Sequence, residues 1–280
     1  MYCFISNTCF NFNALSNKMK SQLHKYEVEA FSPREKFFSI LSIEVEELPF
    51  PKEEISYSTP TYDIYQLKDR LIQVQRVNDQ PIGIIEYIDN KALIYMKKPS
   101  FLKEYLLMEY AYTYFMQKEH NAILFHSSSI EYKGHGIIFC AKSGTGKSTQ
   151  ASLWKKYRDI IQINDDKNMV VEENGILYLY GNPFSGKSCI DTNRKTKLDF
   201  IVFIYQNKEN TIKELKGKEA LILLMHQIAN VSFMMSKEKW NYMTDLLLKV
   251  KNCYFGCNIS LDAVNTLENY LKGNNYGIEQ

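Results

Sequence analysis

A glycine-rich segment between two apolar stretches constrains this chain more than any other feature. The apolar run 137–140 (IIFC) precedes the loop 141–148 (AKSGTGKS), and TQASLW follows at 149–154. The loop departs from the G-x-x-x-x-G-K-[ST] pattern only at Ala141, which stands in place of the first glycine. Because the flanking runs read as a strand and a helix, the segment predicts a phosphate-binding turn rather than a plain glycine-rich connection.

The residue types in this loop suit the binding of a triphosphate. Backbone N–H groups from Gly144 to Ser148 can approach phosphate oxygens because no bulky Cβ lies in the way. The following helix adds its positive N-terminal end. We expect Lys147 to contact the β- and γ-phosphates and the Ser148 hydroxyl to ligate Mg²⁺. The predicted nucleotide-binding residues are Ser143, Gly144, Thr145, Gly146, Lys147, Ser148 and Thr149.

A histidine and two aspartates lie at the ends of apolar runs on either side of the loop. His126 follows residues 122–125, and Asp165 and Asp166 follow residues 160–163. One carboxylate beside a phosphate loop could hold Mg²⁺, and the other could accept the proton of an attacking hydroxyl. A nearby histidine could orient that base. The residues alone equally allow a solvated Asp-Asp turn and a histidine satisfied by a backbone carbonyl.

A basic segment follows the aspartates. Lys187, Arg194, Lys195 and Lys197 stand against the single acidic residue Asp191. Positive charge beside a phosphate site can hold a transferring γ-phosphoryl group or an anionic substrate, although a solvated basic loop is the alternative. We predict catalytic roles for Lys187 and Arg194, and Lys187 is further favoured by its small neighbours.

The order and spacing of these motifs resemble a known family. The matching runs are LFHSS at 124–128, GIIF at 136–139, SGTGKST at 143–149, NDD at 164–166, GNPFSGK at 181–187 and LDFIVFIY at 198–205. Together they resemble the catalytic domain of HPr kinase/phosphorylase. They are still more similar to the short HPr-kinase-like and phosphoenolpyruvate-carboxykinase-like proteins, including serine kinases that accompany lasso peptide and other peptide natural-product clusters. The resemblance covers about residues 102–271 and is much weaker over the first hundred.

This resemblance implies an α/β fold with a mixed-sheet phosphate-loop kinase core of the HPr kinase/PEP carboxykinase type. It also implies that ATP and Mg²⁺ are the cofactors and that a serine of a peptide or protein is the acceptor. Carried over by position, Asp165 becomes the general base, Asp166 a metal ligand with Ser148, and His126 the residue that positions the base. The segment 181–187 stands where true HPr kinase/phosphorylases carry a glutamate–arginine signature, so HPr as substrate and reverse phosphorolysis do not follow.

Other functions remain open on the residues alone. A kinase for a small molecule such as free serine would use the same core, because the motifs specify only a hydroxyl acceptor. A regulatory module that binds nucleotide with little turnover is a second alternative, although it would have no chemical need for Lys147, Ser148, Asp165 and Asp166 together. An enzyme resembling phosphoenolpyruvate carboxykinase is a third, for which the chain is short and a second metal-binding set is missing.

The chain divides by pattern into two regions. Short alternating apolar runs predict a small β-rich domain over residues 1–100, which would recognise the substrate or serve as a cap. Residues 101–280 form the predicted catalytic domain, which opens with an amphipathic helix over 102–117. Three C-terminal helices are predicted at 219–229, 238–250 and 261–271, and residues 230–235 are left undecided.

Composition limits the partners and the compartment. A net charge of +2 gives no broad electrostatic footprint for nucleic acid. The six cysteines contain no C-x-x-C pair, and Cys253 and Cys257 lack further ligands for zinc, so reduced thiols are expected. The N-terminal residues 1–15 match neither a signal peptide nor a membrane span. We therefore expect a cytoplasmic protein without membrane contact, for which a homo-oligomer is compatible with the sequence.

Overall fold

The chain separates into two compact units. The structure, a computed structural model, describes residues 1–29, 37–228 and 236–273. One unit comprises Met1–Met116 and the other Gln117–Gln280. The described residues form sixteen strands and six helices, so the chain has a mixed α/β architecture, as predicted.

The first unit is built on an eight-stranded mixed sheet. Its elements are β1 (Tyr2–Ile5), β2 (Thr8–Asn13), α1 (Asn17–His24), β3 (Phe37–Glu44), β4 (Tyr57–Ser58), β5 (Tyr62–Gln66), β6 (Leu71–Val77), β7 (Gln80–Ile88) and β8 (Lys91–Met96). The strand order is β1-β2-β3-β8-β7-β6-β5-β4. The β2–β3 and β3–β8 pairs are parallel, and the other neighbours are antiparallel.

The helix predicted at 102–117 is α2 (Phe101–Glu119). Most of it belongs to the first unit and not, as predicted, to the catalytic domain. The physical reason is aromatic packing, since the ring of Tyr114 stacks on Tyr87 at 3.9 Å and that of Phe115 on Phe38 at 4.6 Å. A boundary after residue 100 would separate these buried rings from the sheet that covers them.

The second unit carries the glycine loop. After the last turn of α2 come β9 (Ala122–Tyr132), β10 (His135–Cys140), α3 (Lys147–Tyr157), β11 (Ile161–Asn164), β12 (Lys167–Glu173), β13 (Ile176–Tyr180), β14 (Lys195–Gln206), β15 (Thr211–Leu215), α4 (Gly217–Met225), α5 (Lys237–Lys249), β16 (Lys251–Cys257) and α6 (Leu261–Gly273). β10, β14 and β16 are parallel neighbours, whereas β9, β12, β13 and β15 pair antiparallel. The pairings connect β9, β12, β13, β14 and β10 into a closed circuit.

Two apolar clusters cover opposite faces of β10 and β14. Successive side chains of a strand point to opposite faces. Accordingly, Ile137 and Phe139 pack with Trp154 of α3 and with α6, whereas Ile138 packs in a separate cluster with Met243 of α5 and with α4. Because both faces are covered, these strands read as continuous apolar runs.

The C-terminal helices lie close to their predicted ranges. α4 ends at Met225, earlier than the predicted 229, which is itself outside the described residues, as are the undecided residues 230–235. α5 and α6 begin at 237 and 261. None of the six cysteines forms a disulfide bond. Over the described residues, no helix combines the length and the apolar character needed to cross a membrane.

Candidate active site

Strand β9 brings the separate motifs of the second unit together. On one edge it pairs with β10, so that Ser127 lies opposite Cys140, the last residue before the glycine loop. On its other edge, the first half of β9 pairs with β12, with His126 opposite Lys167, and the second half pairs with β11. Asp165 and Asp166 form the two-residue link between β11 and β12. The register of β9 therefore places His126, the aspartates and the loop at one end of the sheet.

Two glycines of the glycine loop adopt a left-handed backbone conformation. Gly144 and Gly146 have φ angles of +81° and +117°, which L side chains rarely adopt. The space around Gly144 is open, so its φ angle and not crowding calls for glycine. α3 begins at Lys147 with Gly146 as its N-cap residue. Because glycine has no side chain that could accept from the first helical N–H groups, these donors are available to an anion.

Lys147 is folded into the loop that carries it. Its side chain is buried, and its Nζ donates to the carbonyl oxygen of Ala141 at 2.9 Å. Burial lowers the pKa of Lys147, and the negative charge of Asp166 partly offsets this effect. The ammonium group is thus held against the first residue of the loop.

A cavity of about 520 Å³ unites most of the predicted residues. It is lined by His126, Ser143, Gly144, Gly146, Lys147, Ser148, Thr149, Asp165, Asp166, Gly186, Lys187 and Ser188. Of the predicted nucleotide-binding residues only Thr145 lies outside this lining. The volume of the cavity is within the usual range for a ligand site. Two lysines, two aspartates and a histidine therefore share one cavity with the glycine loop.

The histidine contacts the second aspartate and not the first. His126 Nε2 lies 3.0 Å from Asp166 Oδ1, and the two side chains are 39% and 30% exposed. Burial raises the pKa of Asp166, but the hydrogen bond from His126 and the charge of Lys167 outweigh it, so that the pKa is lowered. The expectation that His126 positions Asp165 is therefore corrected: its partner is Asp166.

Asp165 instead holds the following segment of the chain. Its Oδ1 accepts from the N–H of Gly186 at 2.6 Å, and its Oδ2 accepts from the N–H of Ser188 at 3.1 Å. The side chain is buried, and burial raises its pKa although both backbone hydrogen bonds act in the opposite sense. Lys187 lies between the two anchored residues, so Asp165 fixes the backbone that presents Lys187 to the cavity.

Lys187 and Arg194 have different surroundings. Lys187 is exposed and lines the cavity, and its ammonium group has no hydrogen-bond or ion-pair partner within the described parts of the chain. Arg194 lies outside the cavity lining and forms a two-pronged ion pair with Glu131, with Nε at 2.8 Å from Oε2. The predicted catalytic role of Arg194 has no support in this geometry, because its guanidinium group is bound elsewhere.

Sequence reasoning missed the buried asparagine that shapes the aspartate link. Asn164 Oδ1 accepts from the N–H groups of Asp166 and Lys167, both at 2.9 Å. Its Nδ2 donates to the carbonyls of Asn182 and Phe184 at 3.0 and 3.3 Å. One side chain therefore joins the aspartate turn to the segment that carries Lys187. The available signal was an asparagine at a strand end directly before two turn residues.

Gly186 allows the two segments to approach closely. A Cβ at this position would lie 3.0 Å from Asp166 Cβ and 3.3 Å from Asp165 Oδ2. Such contacts are tighter than ordinary van der Waals packing. The second glycine of the GNPFSGK run, Gly186, is thus explained by its proximity to both aspartates.

The residues present fit Mg²⁺ only together with a nucleotide. Within the described residues no group of three or more histidine, cysteine or acidic side chains could hold a metal ion. Mg²⁺ usually binds one or two protein ligands plus substrate phosphates and water. The Ser148 hydroxyl, exposed in the first turn of α3, lines the cavity beside the carboxylates, which agrees with that mode of binding.

Comparisons with known proteins leave the family unassigned. No family model matches the chain, and no curated protein matches it. Among solved structures, the chain is similar to the Hpr(Ser) kinase/phosphatase from Coxiella burnetii, with a TM-score of 0.31 and 9% sequence identity. The alignment covers 54% of this chain and 98% of that one. Since similarity at this level carries no functional argument, the function must be inferred from the site.

Proposed function

We propose that this chain is an ATP-dependent phosphotransferase that moves the γ-phosphoryl group to a hydroxyl. The acceptor that the sequence resemblance favours is a serine of a peptide or protein. The observation that carries the proposal is the single cavity that contains the glycine loop, Lys147, Lys187 and the His126–Asp166 pair. Nucleotide binding alone would require the loop and Lys147, but not a carboxylate coupled to a histidine.

Positive groups in the cavity would bind and stabilise the triphosphate. The N–H groups at the start of α3 and the ammonium group of Lys147 face the place of the phosphates. Lys187 adds a second cation on the opposite segment, where it can stabilise charge on the transferring group. Ser148 would hold Mg²⁺ with phosphate oxygens and water, and the bound metal would neutralise phosphate charge.

The accessible carboxylate suits the role of general base. Asp166 is partly exposed, and its contact with His126 uses Oδ1. Asp165 is buried, and both of its oxygens accept backbone hydrogen bonds. We therefore assign the base to Asp166 with His126 as its partner, in place of Asp165. This assignment leaves Ser148 as the protein ligand of the metal and makes Asp165 a positioning residue.

The reaction then requires little covalent chemistry from the protein. Asp166 accepts the proton of the acceptor hydroxyl as its oxygen attacks the γ-phosphorus. The bond from that phosphorus to the β,γ-bridging oxygen breaks, and ADP leaves with the electron pair. Positioning of the two reactants and stabilisation of charge supply most of the rate enhancement in such reactions.

The proposal is tested by nucleotide binding and by transfer. We expect the full chain to bind Mg-ATP in calorimetry and Lys147→Ala to weaken this binding by at least about tenfold, because the central cation is lost. Lys155→Ala is a matched control, since Lys155 is exposed near the end of the same helix. Equal binding of Mg-ATP by Lys147→Ala and the parent would refute the phosphate-loop function.

Transfer is measured with γ-labelled ATP. The protein is incubated with serine-containing peptides and, separately, with free serine, and mass spectrometry locates the phosphate. A labelled serine side chain in a peptide supports the proposed acceptor class. Label on free serine alone would make the chain a small-molecule kinase, and nucleotide binding with no transfer to any hydroxyl would favour a regulatory module.

A further inference from the structure

A second cavity of about 740 Å³ adjoins the glycine loop. It shares Gly144, Gly146 and Thr149 with the cavity described above. Its other walls are Ile204 and residues 206–208 at the end of β14, residues 257–259 at the end of β16, Thr145 of the loop and Gln150 of α3. Neither aspartate lines it. A cavity of this size is large enough for a nucleoside.

The walls of this cavity combine apolar side chains, which suit the flat faces of a purine ring, with polar side chains, which suit its edge. Ile204 and Ile259 are apolar, and Ile259 is 76% exposed at a cavity that a ligand could cover. Asn207 and Lys208 add polar groups. If the γ-phosphoryl end of a bound triphosphate lies toward Asp166, its nucleoside end extends from the other side of the loop. The second cavity is the space that the loop offers there.

Over the described ranges, Asn207 and Lys208 offer donors without partners in this cavity, and Gln150, which also lines it, has a buried acceptor, Oε1, without one. The side-chain oxygen of Asn207 already accepts from the N–H of Lys208 at 3.0 Å, which leaves its Nδ2. Lys208 Nζ has no hydrogen-bond or ion-pair partner among the residues that the structure describes. In contrast, Asn258 is occupied, since its Nδ2 donates to the Lys208 carbonyl at 2.8 Å and its Oδ1 accepts from Ser260 at 2.5 Å.

The backbone that carries Asn207 and Lys208 is held in place by hydrogen bonds to its surroundings. The N–H of Asn207 donates to the carbonyl of Cys257 at 3.0 Å, so the ends of β14 and β16 are joined. Gln206 Nε2 donates to the carbonyl of Thr145 at 3.3 Å, which ties the same segment to the glycine loop. The backbone of the cavity walls and the glycine loop thus form one connected arrangement, and a ligand need not order that backbone.

We propose that this cavity binds the purine of the nucleoside triphosphate and that Asn207 and Lys208 recognise the acceptor edge of a 6-oxopurine. The inference rests on the proposed phosphotransferase function. Guanine and hypoxanthine present acceptors at both N7 and O6, whereas adenine presents an amino donor at position 6. Two protein donors can therefore bind N7 and O6 of a 6-oxopurine. With adenine, one of them would instead face the 6-amino group, which is itself a donor. GTP and ITP are then phosphoryl donors at least as good as ATP.

The test compares the Mg²⁺ complexes of ATP, GTP, ITP and tripolyphosphate by calorimetry on the full chain. We expect GTP and ITP to bind at least as tightly as ATP. Lys208→Ala and Asn207→Ala should each weaken GTP and ITP by about fivefold to tenfold and leave tripolyphosphate unchanged. Lys218→Ala is the matched control, because Lys218 is exposed on α4 and lies outside both cavities.

A third variant tests the location of the nucleoside independently of the donors. Ile259→Ser should weaken all three nucleotides and leave tripolyphosphate unchanged. GTP binding more than about tenfold weaker than that of ATP would overturn the base preference. Variants that bind every nucleotide like the parent would overturn the cavity assignment. If the parent protein binds tripolyphosphate and binds no nucleotide more tightly, this inference alone is refuted. If it binds neither tripolyphosphate nor any nucleotide, the phosphotransferase function is refuted as well.

Discussion

Replacement of each aspartate by asparagine separates the base from the positioning residue. Asp166→Asn keeps the shape of the side chain and a possible contact with His126, but the amide cannot accept the acceptor's proton. Loss of a general base typically costs about 10²–10⁴-fold in rate. At about 1.36 kcal/mol for each factor of ten, this loss corresponds to about 2.7–5.4 kcal/mol in the activation barrier.

Asp165→Asn has a different consequence because both oxygens of Asp165 accept backbone N–H groups. The amide offers one oxygen, so either the Gly186 or the Ser188 N–H faces a second donor. A buried donor without a partner costs about 1–3 kcal/mol. We expect Asp165→Asn to lower the free energy of unfolding by this amount. Its effect on turnover should be smaller, because it acts only through the position of Lys187. Asp166→Asn should change the free energy of unfolding by less than about 1 kcal/mol, because its ion pair is partly exposed.

The assay combines urea unfolding with single-turnover transfer from γ-labelled ATP. The pKa of Asp166 is lowered, so the carboxylate stays ionised as the pH falls toward the ordinary aspartate value of about 3.9, and the parent rate should fall only below it. Asp166→Asn should lack this acid limb. An Asp165→Asn variant of normal stability with at least a hundredfold rate loss, beside an active Asp166→Asn, would return the base to Asp165.

Three further predictions concern groups around the same site and core. Lys187→Ala should lower kcat by about tenfold to a hundredfold and leave ATP affinity within about threefold of the parent value, since the charge of Lys187 acts mainly in the transition state. Kinetic and calorimetric assays measure the two values, and Arg194→Ala should change neither. Asn164→Ala should lower the free energy of unfolding by about 2–4 kcal/mol in urea, because several buried groups lose their partner. The pKa of Glu268 is held at about 2 because hydrogen bonds with Arg158, Tyr132 and Lys272 outweigh burial. A lowered carboxylate pKa stabilises the fold above the unfolded value of about 4.3 and loses that effect as the pH falls toward 2. Glu268→Gln should therefore cost about 2 kcal/mol at pH 7 and much less near pH 2, which urea titrations at the two pH values would measure.

Local patterns in the sequence were sufficient for the elements whose signal is short-range. The glycine loop was predictable because its positive φ angles at Gly144 and Gly146 require glycine. The amphipathic helices α2, α5 and α6 were predictable from their spacing of apolar residues. β1, β2 and α1 escaped prediction; for the two strands the reason is that asparagine and serine interrupt the apolar residues of the first fifteen positions. Packing against the first sheet determines which side chains of this segment are buried.

The arrangement of the site depended on the tertiary structure. The sequence identified His126, Asp165, Asp166, Lys187 and the loop as chemical candidates, because residue type determines which groups can bind phosphate or accept a proton. It could not determine which aspartate the histidine contacts, since adjacent residues in a turn point in different directions. The register of β9 against β12 and the turn held by Asn164 decide that His126 meets Asp166.

The same distinction explains Arg194 and the second cavity. A count of positive charges along residues 187–197 treats Lys187 and Arg194 alike, but Glu131 on β9 binds the arginine outside the cavity. The cavity beside the loop is formed by the ends of β14 and β16, which are fifty residues apart in the chain and become neighbours only through parallel pairing. Sequence by itself determined which chemistry the chain carries, whereas strand pairing decided which groups act together, because contacts between distant segments leave no periodic pattern in either one.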